Sequence, residues 1–322
     1  MSTGAAIRWV LTPIFFCVRF TNMKTIDAFD RQFPSEESCK QFLADMRWPC
    51  GVRCPRCNGE KVYALKARPF HWLCKNKDCG GRNGYRFSVI THTIFQDTKI
   101  PLKLWFKVGY LMLVSKKGVS ALQIHRVIFG ESSGSDYHTS WYMCHRWRAA
   151  MKGDAIKLTG AVEVDETYIG GKEHFKHKSK RLNVKGGTKG KIAVIGAIAR
   201  KGMVVAKVID SASPVIMEQF VHETVKDDVS LVATDEAGGY KLLKRQGYPH
   251  ETVGHYKGEY VRGNVHTANL DSFWSLLKRG IVGSYHKVSK EYLPLYVNEF
   301  SWRFNNRKNP NAFADLVTTC SN

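Results

Sequence analysis

The sequence predicts an α/β protein in which helices pack on a mixed sheet, preceded by a small cysteine-rich unit and a short helical region. Three observations predict this arrangement. Strand-like apolar runs alternate with helical patterns over residues 158–310, paired cysteines lie between positions 54 and 79, and helical periodicity dominates 99–152. At 322 residues the chain is long enough for two or three folded units. We therefore expect domains at 23–95, 99–152 and 158–310, with residues 1–22 an extension outside any domain.

The charge balance indicates a polyanionic partner. Lysine and arginine total 49 against 28 acidic residues, which gives a formal net charge of +21. Nucleic acid is the commonest partner of so basic a surface, although a merely soluble cationic protein is the alternative. The hydrophobic fraction of 43% supplies enough apolar side chains for folded cores and excludes global disorder.

The N-terminal extension contains an apolar run from Val10 to Val18 that is too short to span a bilayer. It lacks a small-residue cleavage site before Met23, where sequence more typical of a globular domain begins. The nine cysteines are odd in number and mostly clustered, which is typical of metal binding in a reducing compartment. We expect a cytoplasmic protein without a membrane partner.

The cysteine-rich unit carries the spacing of a zinc ribbon. Cys54 and Cys57 form a C-x2-C pair, and after sixteen residues Cys74 and Cys79 form a C-x4-C pair. Two such knuckles complete a tetrahedral shell of thiolates around a structural Zn²⁺, and a unit this small needs that binding energy to fold. Interleaved basic and aromatic residues favour contact with nucleic acid, although ribbons of this kind also mediate protein contacts.

The helical region resembles a helix-turn-helix. Two apolar helical segments are followed by a Gly/Ser break at 130–135 and by a third segment that carries Arg146 and Arg148. We expect these two arginines to contact DNA. An ordinary connecting bundle is the alternative.

The α/β region begins with a strand that contains Asp165. Two further strands meet at a turn over residues 200–202, and Ser213 followed by Pro214 begins a helix. An apolar strand then ends at Asp235, and we expect the last long helix to begin at Ser289.

Residues 171–191 form a glycine-rich basic segment with eight lysines and arginines. We interpret it as a loop between two strands that contacts DNA phosphates, and a solvated loop is the alternative. The expected contacts are Lys176, Lys178, Lys180 and Arg181.

Three acidic residues are candidates for a catalytic metal site. Asp165 lies in a strand, with Glu163 on the same face, Asp235 ends the apolar strand, and Asp271 lies in a later helix. Phosphodiester cleavage uses two divalent cations about 3.5–4 Å apart, and such hard ions prefer converging carboxylates. Lys278 shares a helix face with Asp271, and with Arg279 it is expected to contact the DNA backbone.

The motifs "VEVDETYIGG", "VATDEAGGY" and "HTANLDSFWSLLKRGIVGSYHKVSKEYLPLYVNEFSWRFNNR" resemble ISXO2-like transposases of bacterial insertion sequences. The cysteine pairs and "THTIFQDTKIPLKLWF" resemble that family's N-terminal zinc ribbon. The resemblance implies an RNase H-like fold and DNA cleavage and strand transfer dependent on Mg²⁺ or Mn²⁺. It also implies double-stranded DNA partners, namely terminal inverted repeats and a target.

Carried over to this sequence, the resemblance makes Asp165 and Asp235 the first two metal ligands. The family usually has glutamate where this chain has Asp271, so Asn269 and His266 are alternatives for the third catalytic position, and Lys278 fits the family's basic residue.

We therefore expect a transposase that assembles as a homo-oligomer on DNA. Two alternatives stay open. One is a zinc-ribbon DNA-binding regulator that has lost catalysis, and the other is an RNase H-like nuclease or resolvase without strand transfer.

Overall fold

The computed structural model describes residues 23, 25–130, 136–153, 155–171, 177–182, 188, 190–235, 240, 243–253, 261–263 and 265–321. The expected extension at 1–22 and Lys176 lie outside these residues. The described chain forms two compact units, one ending at Lys103 and the other running from Leu104 to Cys320. Among these residues no helix has the length and apolar character needed to cross a bilayer.

The N-terminal unit combines short helices with a small antiparallel sheet in the order β1-β2-β3. Its elements are α1 (Ile26–Gln32), α2 (Glu36–Arg47), β1 (Val62–Ala64), β2 (His71–Cys74), α3 (Lys77–Gly80) and β3 (Tyr85–Ser88). Helix α2 begins after Ser35, whose hydroxyl caps it by accepting a hydrogen bond from the Ser38 amide. The inner face of the sheet packs Trp72 and Phe87 around the cysteines.

The predicted helical region forms three helices, α4 (Leu102–Val114), α5 (Ala121–Ile128) and α6 (Tyr137–Ala150). All of them except the first two residues of α4 belong to the second unit. Trp147 of α6 lies against Gly109 of α4, where an added Cβ would come within 2.7 Å of the indole ring. The DNA-binding role of this region and the domain boundaries stay predictions.

A five-stranded mixed sheet forms the centre of the described second unit, in the order β6-β5-β4-β7-β8. The strands are β4 (Ala161–Ile169), β5 (Ile192–Ala199), β6 (Val204–Ile209), β7 (Leu231–Asp235) and β8 (His250–Val253). Strands β4, β5 and β6 are antiparallel neighbours, whereas β7 and β8 run parallel to β4. This arrangement confirms the predicted RNase H-like fold, and the hairpin between β5 and β6 turns at the predicted residues.

Helices α7 (Pro214–Thr224), α8 (Ala268–Gly280) and α9 (Leu293–Asn305) pack on the two faces of this sheet, with a π-helical turn at Ile281–Tyr285 after α8. The last helix, α10 (Ala312–Thr319), packs its Phe313 ring 5.5 Å from the Phe106 ring of α4. One core cluster joins α7 to the sheet through Phe220 and Val221. The other joins α8 and α9 to the opposite face through Phe273 and Phe300. The predicted start of the last long helix at Ser289 is wrong, because α9 begins at Leu293, where Pro294 fits the first turn.

Candidate active site and zinc site

The four predicted zinc ligands meet in space. The Sγ atoms of Cys54, Cys57, Cys74 and Cys79 all lie within 4.8 Å of one another. Cys54 Sγ is 3.6 Å from Cys79 Sγ, and Cys57 Sγ is 3.7 Å from Cys74 Sγ. Sulfurs bound tetrahedrally at about 2.3 Å from Zn²⁺ are separated by about 3.8 Å, so the cluster fits a structural zinc ion.

The electrostatics of the cluster also favour a cation. Burial and the neighbouring sulfurs raise the pKa of Cys79 to about 12. Four thiolates this close repel one another unless a cation neutralises them, and zinc binding would therefore stabilise the fold of this unit.

Two of the three predicted acidic residues, Asp165 and Asp235, converge where two parallel strands separate, whereas Asp271 is not among the carboxylates that lie within 4.8 Å of one another. Strand β4 pairs with β7 over three positions that end at Glu163 and Ala233. Extending that register by two residues sets Asp165 beside Asp235, at the carboxyl end of β7. Crevices at the carboxyl ends of parallel strands are common ligand sites, since side chains there can leave the sheet together.

Asp165 is held by helix α8. The indole Nε1 of Trp274 donates a hydrogen bond to Asp165 Oδ2 at 3.0 Å. Burial, followed by the charges of Asp235, Glu166 and Asp271, raises the pKa of Asp165 to about 7. A cation bound beside Asp165 would stabilise its ionised carboxylate and offset the repulsion from the neighbouring acids.

Glu166 is a candidate site residue that the sequence interpretation missed. Carboxylate oxygens of Asp165, Glu166 and Asp235 lie within 4.8 Å of one another, a donor set that fits a divalent cation. The buried Tyr240 hydroxyl donates to Glu166 Oε2 at 3.0 Å and fixes its position. The sequence does show Glu166 next to Asp165 in "VEVDET". Neighbouring side chains of a strand point to opposite faces of the sheet, so the sequence did not predict that Glu166 and Asp165 share a site.

The candidates on helix α8 have different surroundings. Asp271 is exposed in the first turn and accepts a hydrogen bond from the Thr267 hydroxyl at 3.4 Å. Asn269 instead directs its side-chain amide to Glu163 Oε1 at 2.7 Å. Lys278 is exposed near the end of the same helix.

Comparison with known proteins identifies both parts of the chain. Residues 157–305 match the family model of the ISXO2-like transposase domain, and residues 34–82 match that of the transposase zinc-ribbon domain. The first range contains the three candidate aspartates, and the second contains the four clustered cysteines. The chain therefore carries an ISXO2-like transposase domain and a transposase zinc-ribbon domain.

Two relatives agree with this assignment. An uncharacterized protein in transposable element ISH50 of Halobacterium salinarum is 28% identical over 285 residues, covering 85% of this chain and 92% of that protein. An uncharacterized transposase-like protein of Haemophilus influenzae is 27% identical over 99 residues, covering 31% of this chain and 78% of that protein.

Among solved structures, the simian T-cell lymphotropic virus intasome in complex with PP2A regulatory subunit B56 gamma aligns with a TM-score of 0.27 and 12% identity. That alignment covers 61% of this chain and 65% of the other.

The basic residues expected to contact DNA differ in their exposure. Lys178, Arg181, Lys278 and Arg279 are exposed, and Arg146 is half-buried with its guanidinium 5.6 Å from the Tyr142 ring. The side chain of Lys180 lies outside the described part of the structure.

Arg148 corrects the sequence interpretation, because it cannot reach DNA from its position. It is 1% exposed, and its Nε lies 2.7 Å from Glu299 Oε2 of helix α9. Its guanidinium also lies 4.0 Å from the centre of the Tyr296 ring. Arg148 is therefore part of the core that joins α6 to α9, where burial of an arginine requires a charged partner.

Proposed function

We propose that this chain is an insertion-sequence transposase that cleaves DNA at a terminal inverted repeat and joins the freed 3′ end to target DNA. One observation carries the proposal: carboxylate oxygens of Asp165, Glu166 and Asp235 converge within 4.8 Å in a domain of a transposase family. Carboxylates this close repel one another and destabilise the fold unless a cation is bound. The same arrangement can bind the divalent ions that phosphodiester cleavage uses.

Mg²⁺ or Mn²⁺ is the proposed catalytic cofactor, because carboxylate oxygens are ligands of hard divalent cations. Bound there, such ions supply an activated nucleophile and neutralise charge on the leaving oxygen. Asp165, Glu166 and Asp235 are the proposed ligands from the strands, and Asp271 is the proposed ligand from helix α8. Trp274 and Tyr240 orient two of these carboxylates before DNA arrives.

Double-stranded DNA is the proposed substrate. The net charge of +21 favours binding to the phosphate backbone of DNA. Exposed lysines and arginines also lie near the acidic residues in the sequence. Lys278 and Arg279 follow Asp271 on α8, and Lys178 and Arg181 lie in the basic segment after β4. Joining two element ends calls for more than one protomer, so we propose that a homo-oligomer assembles on DNA.

Strand transfer needs no external energy source in this scheme. Water first breaks one phosphodiester at the element end and leaves a 3′-hydroxyl. That hydroxyl then attacks a target phosphodiester, so one bond forms as another breaks. The same carboxylates serve both steps because each is an in-line displacement at phosphorus.

The test uses the full chain, a duplex that ends in the element's inverted repeat, a target duplex, and Mg²⁺ or Mn²⁺. Asp165→Asn and Asp235→Asn should bind the end duplex normally and yield neither nicked nor joined products. Asp210→Asn is the matched control, because Asp210 is exposed on the surface and pairs with Lys290.

Three results would contradict the proposal. Full cleavage by Asp165→Asn would remove the acidic cluster from the chemistry. Binding without cleavage by the parent chain would indicate a regulator, and cleavage without joined products would indicate a nuclease or resolvase.

A further inference from the structure

Glu163 is a fully buried carboxylate two residues before Asp165 on the same strand face. Its Oε1 accepts hydrogen bonds from Arg200 Nε at 3.1 Å and from Asn269 Nδ2 at 2.7 Å. His266 Nδ1 lies 3.2 Å from the same oxygen. From its place in the sequence, Glu163 could be a metal ligand. In the structure its carboxylate is instead surrounded by hydrogen-bond donors of the protein.

The other carboxylate oxygen receives the first turn of helix α8. Glu163 Oε2 accepts from the backbone amides of Asn269 at 2.9 Å and Leu270 at 3.3 Å. Among the described residues, the N-cap Thr267 makes no side-chain capping bond. A strand carboxylate therefore caps this helix, and its negative charge complements the positive end of the helix dipole.

Strand β4 consequently holds α8 at two points. Glu163 binds its first turn, and Asp165 binds Trp274 farther along. The two strand residues are separated by a rise of about 6.6 Å. From Asn269 or Leu270 to Trp274 the helix rises about 6–7.5 Å, so the two spacings match. Asp271 lies between the two attachments.

We infer that Glu163 is a positioning residue that fixes α8 in register over β4, and that Asn269 acts through Glu163 rather than as a metal ligand. The inference rests on the proposed function, because the register matters through the carboxylates that α8 brings to the cation site. It assigns the third position on α8 to Asp271, since the Asn269 amide is already bonded to a buried carboxylate.

Asn269→Asp separates the two roles. If Asn269 acts through Glu163, the carboxylate introduced by Asn269→Asp repels the Glu163 carboxylate. That repulsion detaches the first turn of α8 from β4. Cleavage of the end duplex should then fall at least tenfold, with unchanged KM for DNA, and Mn²⁺ affinity should not rise. If Asn269 were a ligand, the added carboxylate would strengthen Mn²⁺ binding.

The experiment measures Mn²⁺ affinity by electron paramagnetic resonance and cleavage kinetics for Asn269→Asp, Asn269→Ala, Glu163→Gln and the double variant of the last two. Asn269→Ala should keep Mn²⁺ affinity close to that of the parent and lower kcat. The double variant should be no slower than Glu163→Gln alone, because both changes remove one interaction. Thermal unfolding identifies any variant that fails to fold, and Asn269→Ala then carries the test, because it leaves Glu163 and its backbone donors in place.

Tighter Mn²⁺ binding by Asn269→Asp, or loss of Mn²⁺ binding by Asn269→Ala equal to that of Asp165→Asn, would overturn the inference. So would additive losses in kcat in the double variant. Failure of the proposed function looks different, since Asp165→Asn itself would then keep Mn²⁺ binding and cleavage.

Discussion

Gly196→Ala should disable the active site by displacing one indole ring. Gly196 of β5 pairs with Asp165 of β4, and Trp274 lies across the glycine. A Cβ at this position would lie 2.7 Å from one ring carbon of Trp274 and 2.8 Å from another. Ordinary carbon contacts are about 3.5–4.0 Å, so the ring must retreat by about 1 Å. The bond from Trp274 Nε1 to Asp165 Oδ2, now 3.0 Å, would then stretch beyond hydrogen-bond distance.

The energetic cost has two parts. Adding a methyl group to a well-packed core destabilises the fold by about 1–3 kcal/mol. Loss of a hydrogen bond to a charged group costs a further ~1.5–3 kcal/mol, part of which the relaxed ring recovers. For a unit of this size we expect the unfolding midpoint to fall by about 2–4 °C per kcal/mol.

The assay combines thermal unfolding with cleavage of an end-bearing duplex. Gly153→Ala is the matched control, because a Cβ at Gly153 meets nothing within 4 Å. Trp274→Phe keeps an aromatic ring and removes the N–H donor, so it should lower cleavage with a smaller loss of stability than Gly196→Ala. Parent-like cleavage and an unchanged midpoint in Gly196→Ala would refute the reasoning, since both depend on the displaced ring.

Three further predictions concern other parts of the chain. Arg148→Ala should lower the free energy of unfolding by up to about 3–5 kcal/mol, because Glu299 stays buried and loses one of its two arginine partners, while Arg303 remains. A stable variant with weakened DNA binding in filter assays would show instead that Arg148 contacts DNA. Cys79→Ser should abolish zinc retention, measured by metal release to a chromophoric chelator, and retention of one equivalent would exclude the four-sulfur site. Tyr63 is 61% exposed on the outer face of the ribbon sheet, in one cross-strand row with Arg86. Tyr63→Ala and Arg86→Ala should weaken binding of the end duplex with zinc retained, and unchanged affinity in both would remove this face from the DNA interface.

Local sequence patterns determined much of this protein. The cysteine spacing predicted the zinc ribbon because ligand pairs on tight turns are fixed over a few residues. Apolar periodicity predicted strands β4 to β7, and the Ser213–Pro214 pair predicted the start of α7, because capping depends on adjacent residues. Strand β8 escaped prediction, since three of its four side chains are polar and give no clear period.

Only the tertiary structure decided which charged and polar side chains line the candidate site and which form pairs in the core. Asp165 within β4 and Asp235 at the end of β7 were identifiable from the sequence, but Glu166 joins them through a bond to Tyr240, which is distant in the sequence. Arg148 and Asn269 carry the residue types of a DNA contact and a metal ligand, yet each is bonded to a buried glutamate on another element. A buried charge is stable only with a partner, and its partner is set by how strands and helices pack. Sequence spacing encodes the elements, whereas charge pairing across them depends on the assembled fold.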